Sequence, residues 1–160
     1  MLPASFHRPF RYLARRHSPL LSKPPVMVRE DGERWDKDDI GAFGERLAAH
    51  YLWAHGCGVL YRNYRAPKGG EVDVVCRDGD MLVFAEVKTR TSDRYGRPMD
   101  AVDAEKESLI IRGAMDWLRL LDRPEIFFRF DVVEVLLPEG RIPNVTWVKE
   151  AFGLPKSYRY

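Results

Sequence analysis

The chain reads as an α/β domain, a sheet covered by helices, and three observations predict it. Two segments, around residues 40–51 and 110–121, repeat apolar residues at helical spacing. Between them, residues 71–77 and 80–88 are rich in Val and apolar on both faces, which suits strands in the middle of a layered domain. A further alternating segment follows the second helix, so the order is α-β-β-β-α-β, with a last short strand at 144–149.

Each element has its own signal. Residues 30–38 are charged and turn-like, a natural linker, and Asp38 or Asp39 is placed to cap the helix carrying Ile40, Phe43, Leu47 and Tyr51. Gly56 and Gly58 close that helix. Val59-Leu60-Tyr61 opens a first strand, and the basic segment from Arg62 to Lys68 follows it. Asp78-Gly79 favours a tight hairpin turn joining the next two strands. In that hairpin Val72, Val74, Val83, Ala85 and Val87 are expected on one face, and Val75, Leu82 and Phe84 on the other. A polar loop, 89–97, leads to a helix from about Pro98 to Leu121, with Pro98 suited to its first turn. Its stripe is Ile110, Ala114, Trp117, Leu118 and Leu121, and it reads as core. Residues 126–137 alternate as a strand does before Pro138-Glu139-Gly140 turns the chain.

Composition narrows the class. The 160 residues are 45% hydrophobic and 31% charged, ordinary for a globular domain. No apolar run approaches the roughly 18 residues of a membrane span, so no membrane partner is expected and a cytoplasmic location is. Cys57 and Cys76 are too few for a disulfide framework and form no CxxC, which reads as small core residues in a reducing compartment. The four histidines have no zinc-like spacing with them. The net charge of +2 hides an asymmetry: residues 1–29 hold six basic side chains and no acid, leaving 20 basic and 24 acidic residues for the rest. Residues 1–37 are therefore expected to be a basic, disordered arm, 38–152 the folded domain and 153–160 a tail. The arm is either an electrostatic foot on nucleic acid or a passive extension.

The chemistry lies in Gly70-Glu71-Val72-Asp73 and Glu86-Val87-Lys88. With Asp78-Gly79 as a two-residue turn, Arg77 pairs with Asp80, Asp73 with Phe84, and Glu71 with Glu86. Opposed residues in an antiparallel pair point to one face, so Glu71, Asp73, Glu86 and Lys88 share a face at the open end of the hairpin. Three clustered carboxylates repel unless a positive charge lies between them. Lys88 supplies one, and a hard divalent cation such as Mg²⁺ or Mn²⁺ held by Asp73 and Glu86 would supply more. The other reading of the same spacing is a surface salt-bridge cluster.

The blocks Gly41-Ala42-Phe43-Gly44-Glu45, Arg62-Asn63-Tyr64-Arg65, Gly70-Glu71-Val72-Asp73, Glu86-Val87-Lys88-Thr89-Arg90 and Arg129-Phe130-Asp131-Val132 resemble the YraN-like uncharacterised bacterial family. That family is similar to the Holliday-junction resolvases among the PD-(D/E)XK nucleases, and the likeness covers about residues 39–150. It implies a restriction-endonuclease-like core, a central mixed β-sheet flanked by helices. It also implies Asp73, Glu86 and Lys88 as catalytic residues, with Glu45 joining from the first helix. Asp73, Glu86 and the Val87 carbonyl would be the metal ligands, and Mg²⁺ or Mn²⁺ the cofactor. Val72 stands where the literal motif has Pro.

Glu71 and Asp131 are expected in support of the site, Asp131 paired with Arg129. Arg62, Tyr64, Arg65, Lys68, Arg90 and Lys106 are candidate nucleic-acid contacts, with Arg94 and Arg97 nearby. Tyr64 or Tyr95 is a candidate stacking platform for an unpaired base. The resemblance implies a homodimer, since two cuts need two sites. Two functions follow as expectations: a metal-dependent endonuclease acting on DNA, branched DNA among its substrates, or a nucleic-acid-binding module that keeps the fold and turns over little.

Overall fold

The computed structural model describes residues 18–92, 103–156 and 158. Five strands and two long helices follow in the order α1 (Lys37–Ala54), β1 (Gly58–Arg65), β2 (Glu71–Asp78), β3 (Met81–Arg90), α2 (Ala104–Leu120), β4 (Phe128–Leu136) and β5 (Asn144–Phe152). The expected α/β class holds, and the architecture is compatible with a restriction-endonuclease-like core. The strands lie side by side in chain order. The sheet is mixed: β3 and β4 are parallel, and every other neighbouring pair is antiparallel. The parallel pair requires a crossover, and α2 makes it. No described helix is long and apolar enough to cross a membrane.

The two helices cover opposite faces of the sheet. Phe43, Leu47, Ala48 and Leu52 of α1 pack on Val74, Cys76, Val83, Ala85, Val87, Val133 and Val135. Ile110, Ile111, Ala114 and Leu118 of α2 pack on Val72, Val75, Leu82, Phe84 and Phe130. Cys57 and Cys76 are buried and free, as core residues. Each helix sits close to the sheet because glycine allows it. A Cβ on Gly44 of α1 would run into the side chain of Thr89, and one on Gly113 of α2 would stand 2.9 Å from the Glu71 nitrogen.

Several boundaries differ from the sequence reading. Asp36, rather than Asp38 or Asp39, caps α1: its carboxylate accepts from the Asp38 and Asp39 amides, and Asp39 accepts from the Asp36 amide in return. A reciprocal pair satisfies two orphan donors where a single cap satisfies one. α2 begins at Ala104, capped by Asp103, while Pro98 lies outside the described residues. Residues 18–36, assigned to the arm by charge, carry apolar side chains that find the core: Leu20, Leu21, Met27 and Trp35 pack against the α1 layer. Ser18 is buried with its hydroxyl 3.3 Å from His50 Nδ1. The basic residues from Arg8 to Arg16 lie outside the described residues.

The hairpin register also shifts. Asp78 pairs with Met81, so Gly79 and Asp80 form the turn, and Val75 lies opposite Phe84. Gly79, at φ 63°, supplies the left-handed residue there. The offset from the expected register is two residues, an even number, which preserves which side chains share a face. Continuing the ladder one step beyond Val74–Ala85 sets Asp73 against Glu86. Val72 is the one apolar position that changes sides, lying against Gly113 of α2 instead of joining Val74 beneath α1. Asn63, between the Arg62–Val74 and Tyr64–Val72 pairs, adopts φ 55° there.

Candidate active site

β2 and β3 bring Asp73 and Glu86 together at the end of the hairpin away from its turn. Glu86 is a charge-bearing side chain only 2% exposed, in a strand whose other residues are chiefly apolar. The Val87 amide donates to Asp73 Oδ2 at 2.8 Å, fixing that carboxylate against β3. Burial, and then the neighbouring Glu86 charge, push the Asp73 carboxyl up to about 8. Glu86 Oε2 is buried and receives no hydrogen bond from any described donor.

Two lysines meet Glu86 on its other oxygen. Lys88, two residues along β3, lies 2.9 Å from Oε1, and Lys106, from the first turns of α2, lies 3.4 Å from the same atom. Lys106 also pairs with Glu71 Oε1, while Glu71 Oε2 takes Arg65 at 2.6 Å. A chain of alternating charge results: Arg65, Glu71, Lys106, Glu86, Lys88. The hydrogen bond from Lys106, with the Arg65 charge behind it, holds the Glu71 carboxyl below its usual range. Burial opposes charge on Lys106, but its bond to Glu71 and the charges of Glu86 and Asp73 outweigh burial and hold the ammonium above its usual value.

The donor set fits a hard divalent cation. Such ions prefer carboxylate oxygens and accept one or two from protein, taking waters and phosphate for the rest. Asp73 and Glu86 offer two adjacent carboxylates, one of them with an orphan buried oxygen. Among the described residues no group of three or more His, Cys, Asp or Glu is arranged to hold a metal.

Not every expected residue converges. Glu45 is half-buried on α1, one residue past the Gly44–Thr89 contact, and no hydrogen bond or ion pair joins it to Asp73, Glu86 or Lys88. Asp131 is fully buried and bonded to Arg129 Nε at 2.9 Å, Trp147 Nε1 at 2.8 Å and the Glu150 amide at 3.0 Å. The expected Arg129–Asp131 pair is therefore present, and it fastens β4 to β5 rather than touching Glu86 or Asp73. Tyr64 is not available to a base: it is buried, its ring stands edge-on to Trp117, and its hydroxyl donates to Asp116. Burial and that bond push the phenol up to about 12. Arg62, Arg65 and Lys68 are exposed along β1 and its turn, and Arg90 ends β3 half-buried. Arg94, Tyr95 and Arg97 lie outside the described residues.

Glu134 was not anticipated. It lies beside Lys88 in the parallel β3–β4 register, and its Oε1 is buried with no described donor. Burial raises its carboxyl, against the Arg90 charge. The signal was present in the sequence, a lone carboxylate between Val133 and Val135, though nothing local said which strand it would neighbour.

Among known proteins, a family model described as the uncharacterised protein family UPF0102 matches residues 44–135. A UPF0102 protein of Solibacter usitatus is 45% identical over 116 residues, 72% of this chain and 86% of that protein. One from Geobacter metallireducens is 42% identical over 115 residues, covering 72% of this chain and 93% of its own length. One from Beutenbergia cavernae is 49% identical over 100 residues, 62% of this chain and 84% of its own.

Proposed function

This chain belongs to the uncharacterised protein family UPF0102, and from that footing we propose that it is a metal-dependent endonuclease that cuts DNA, with branched DNA as its substrate class. The observation that carries the reading is the buried Asp73–Glu86 pair, with an orphan oxygen on Glu86 and a lysine 2.9 Å from its other oxygen. A stable fold has little reason to keep two adjacent buried carboxylates unless a cation belongs there.

Asp73 and Glu86 would hold Mg²⁺ or Mn²⁺, with the neighbouring Val87 peptide in support. When bound, the ion activates a water and offsets charge on the phosphate. The chain's own contribution is positioning. The Val87 amide fixes one carboxylate oxygen of Asp73, and Glu86 holds Lys88, whose ammonium would offset negative charge developing on a phosphate bound there. Arg62 and Lys68, exposed on the β1 side, are suited to backbone phosphates, which give affinity without sequence readout. A homodimer would supply the two sites that paired cuts in a junction need.

The test is cleavage of a labelled four-way junction with Mg²⁺ or Mn²⁺. Wild type is expected to nick or resolve it, and Asp73→Asn and Lys88→Ala to lose cutting while keeping a native circular dichroism spectrum. If wild type and both variants behave alike on branched, flap, linear and single-stranded DNA and on RNA, the proposal fails.

A further inference from the structure

Lys106 occupies a place that one lysine too many would occupy. Lys88 already neutralises Glu86 Oε1 from within β3, yet a second ammonium arrives at the same oxygen from another element. We propose that Lys106 is the resident counter-ion of the acid pair, competes with the divalent cation for it, and retires to Glu71 when the cation binds. The inference rests on the metal-dependent reading above.

The geometry gives Lys106 two seats. It bridges Glu71 Oε1 and Glu86 Oε1, so leaving Glu86 costs it one partner and keeps the other. Lys88 has no second carboxylate among its described contacts. The Lys106 backbone cannot follow its side chain. Its amide donates to the Asp103 cap at 2.8 Å, and two turns on, Gly113 lies against Gly70 and Glu71 with no room for a Cβ. The helix is therefore fixed in height, and only the flexible stem moves. Arg65 on the outer oxygen of Glu71 holds that carboxylate in place, ready to receive the ammonium. Glu71 thus acquires a role as a positioning residue that holds Lys106 beside the site rather than in it. The buried Glu86 Oε2, which receives no hydrogen bond from any described donor, is the oxygen left for the incoming ion.

The experiment is Mn²⁺ binding to the full chain, followed by the EPR signal of free Mn²⁺, with no DNA present. Lys106→Gln is expected to tighten Mn²⁺ binding on the order of tenfold, because the competing charge is gone. Glu71→Gln is expected to weaken it several-fold, because Lys106 then has only Glu86 to pair with. Lys106→Arg keeps the charge and should stay near wild type, which separates loss of charge from loss of packing. Unchanged or weaker binding by Lys106→Gln overturns the inference while leaving the metal reading intact, provided Asp73→Asn abolishes the wild-type binding. If wild type binds no Mn²⁺ that Asp73→Asn removes, the metal reading falls and the inference with it.

Discussion

Gly113 of α2 lies so close to Gly70, at the entrance to β2, that a Cβ on Gly70 would stand 2.6 Å from the Gly113 nitrogen. Gly70 itself sits at φ 158°, and both residues admit backbone where any side chain would separate helix from strand. Lys106 is seven residues earlier on the same helix, so this contact sets the depth at which it reaches Glu71 and Glu86. Gly113→Ala is therefore expected to destabilise the fold by about 1–3 kcal/mol, the usual cost of forcing volume into a packed contact. Urea denaturation measures it, and a loss below about 0.5 kcal/mol would show that α2 shifts freely.

Replacing one carboxyl of the acid pair should help the fold when no cation is present. In EDTA at neutral pH, Asp73→Asn is expected to raise the melting temperature, since an amide escapes the cost of burying an ionisable carboxyl beside Glu86 and keeps an acceptor for the Val87 amide. A lower melting temperature in EDTA would mean that the pair is held apart or satisfied in some other way.

Asp131 should behave in the opposite sense. Its carboxylate receives Arg129, Trp147 Nε1 and the Glu150 amide, all in a fully buried position. Asp131→Ala leaves those donors unpaired and a guanidinium short of one partner, at an expected cost of about 3–5 kcal/mol. Thermal and urea unfolding check this, and a loss under about 1 kcal/mol would remove Asp131 from the β4–β5 clamp.

Asp78 gives the fold a pH signature. Arg129, 2.8 Å away, and Lys149, at 3.0 Å, hold its carboxyl below the ordinary aspartate value. A depressed folded-state value contributes stability that is present above the unfolded value, near 4, and lost as pH falls through the folded one. The melting temperature of wild type should therefore drop more steeply than that of Asp78→Asn between pH 5 and pH 2.5. Parallel curves would show that the two cations do not favour the ionised form.

Tyr64 offers a check on its buried role. Tyr64→Phe removes the hydroxyl that donates to Asp116 but keeps the ring against Trp117, so a loss of about 1 kcal/mol is expected. DNA affinity should not change beyond that, because the ring presents no face to a base. A large drop in affinity without a stability change would return Tyr64 to the binding surface.

The sequence by itself determined the layers, the order of elements along the chain and the company of the acidic residues. Apolar positions repeat every two residues in strands and every three to four in helices, and such periods are local properties of the chain. Even with the turn displaced to Gly79-Asp80, an offset of two kept Asp73 in company with Glu86 and Lys88, because an even slip preserves the face of a regular strand. The tertiary structure decided which of those groups touch. Lys106 reaches Glu86 from 20 residues further along the chain only because two glycines let α2 settle onto β2. Tyr64 goes to the core and Asp131 to β5 because their partners, Asp116 and Glu150, are brought to them by packing. Residues 18–36 follow their apolar side chains onto α1 rather than the neighbouring positive charge. Periodicity is written in consecutive residues, whereas the distance between two charges depends on how separate elements are stacked.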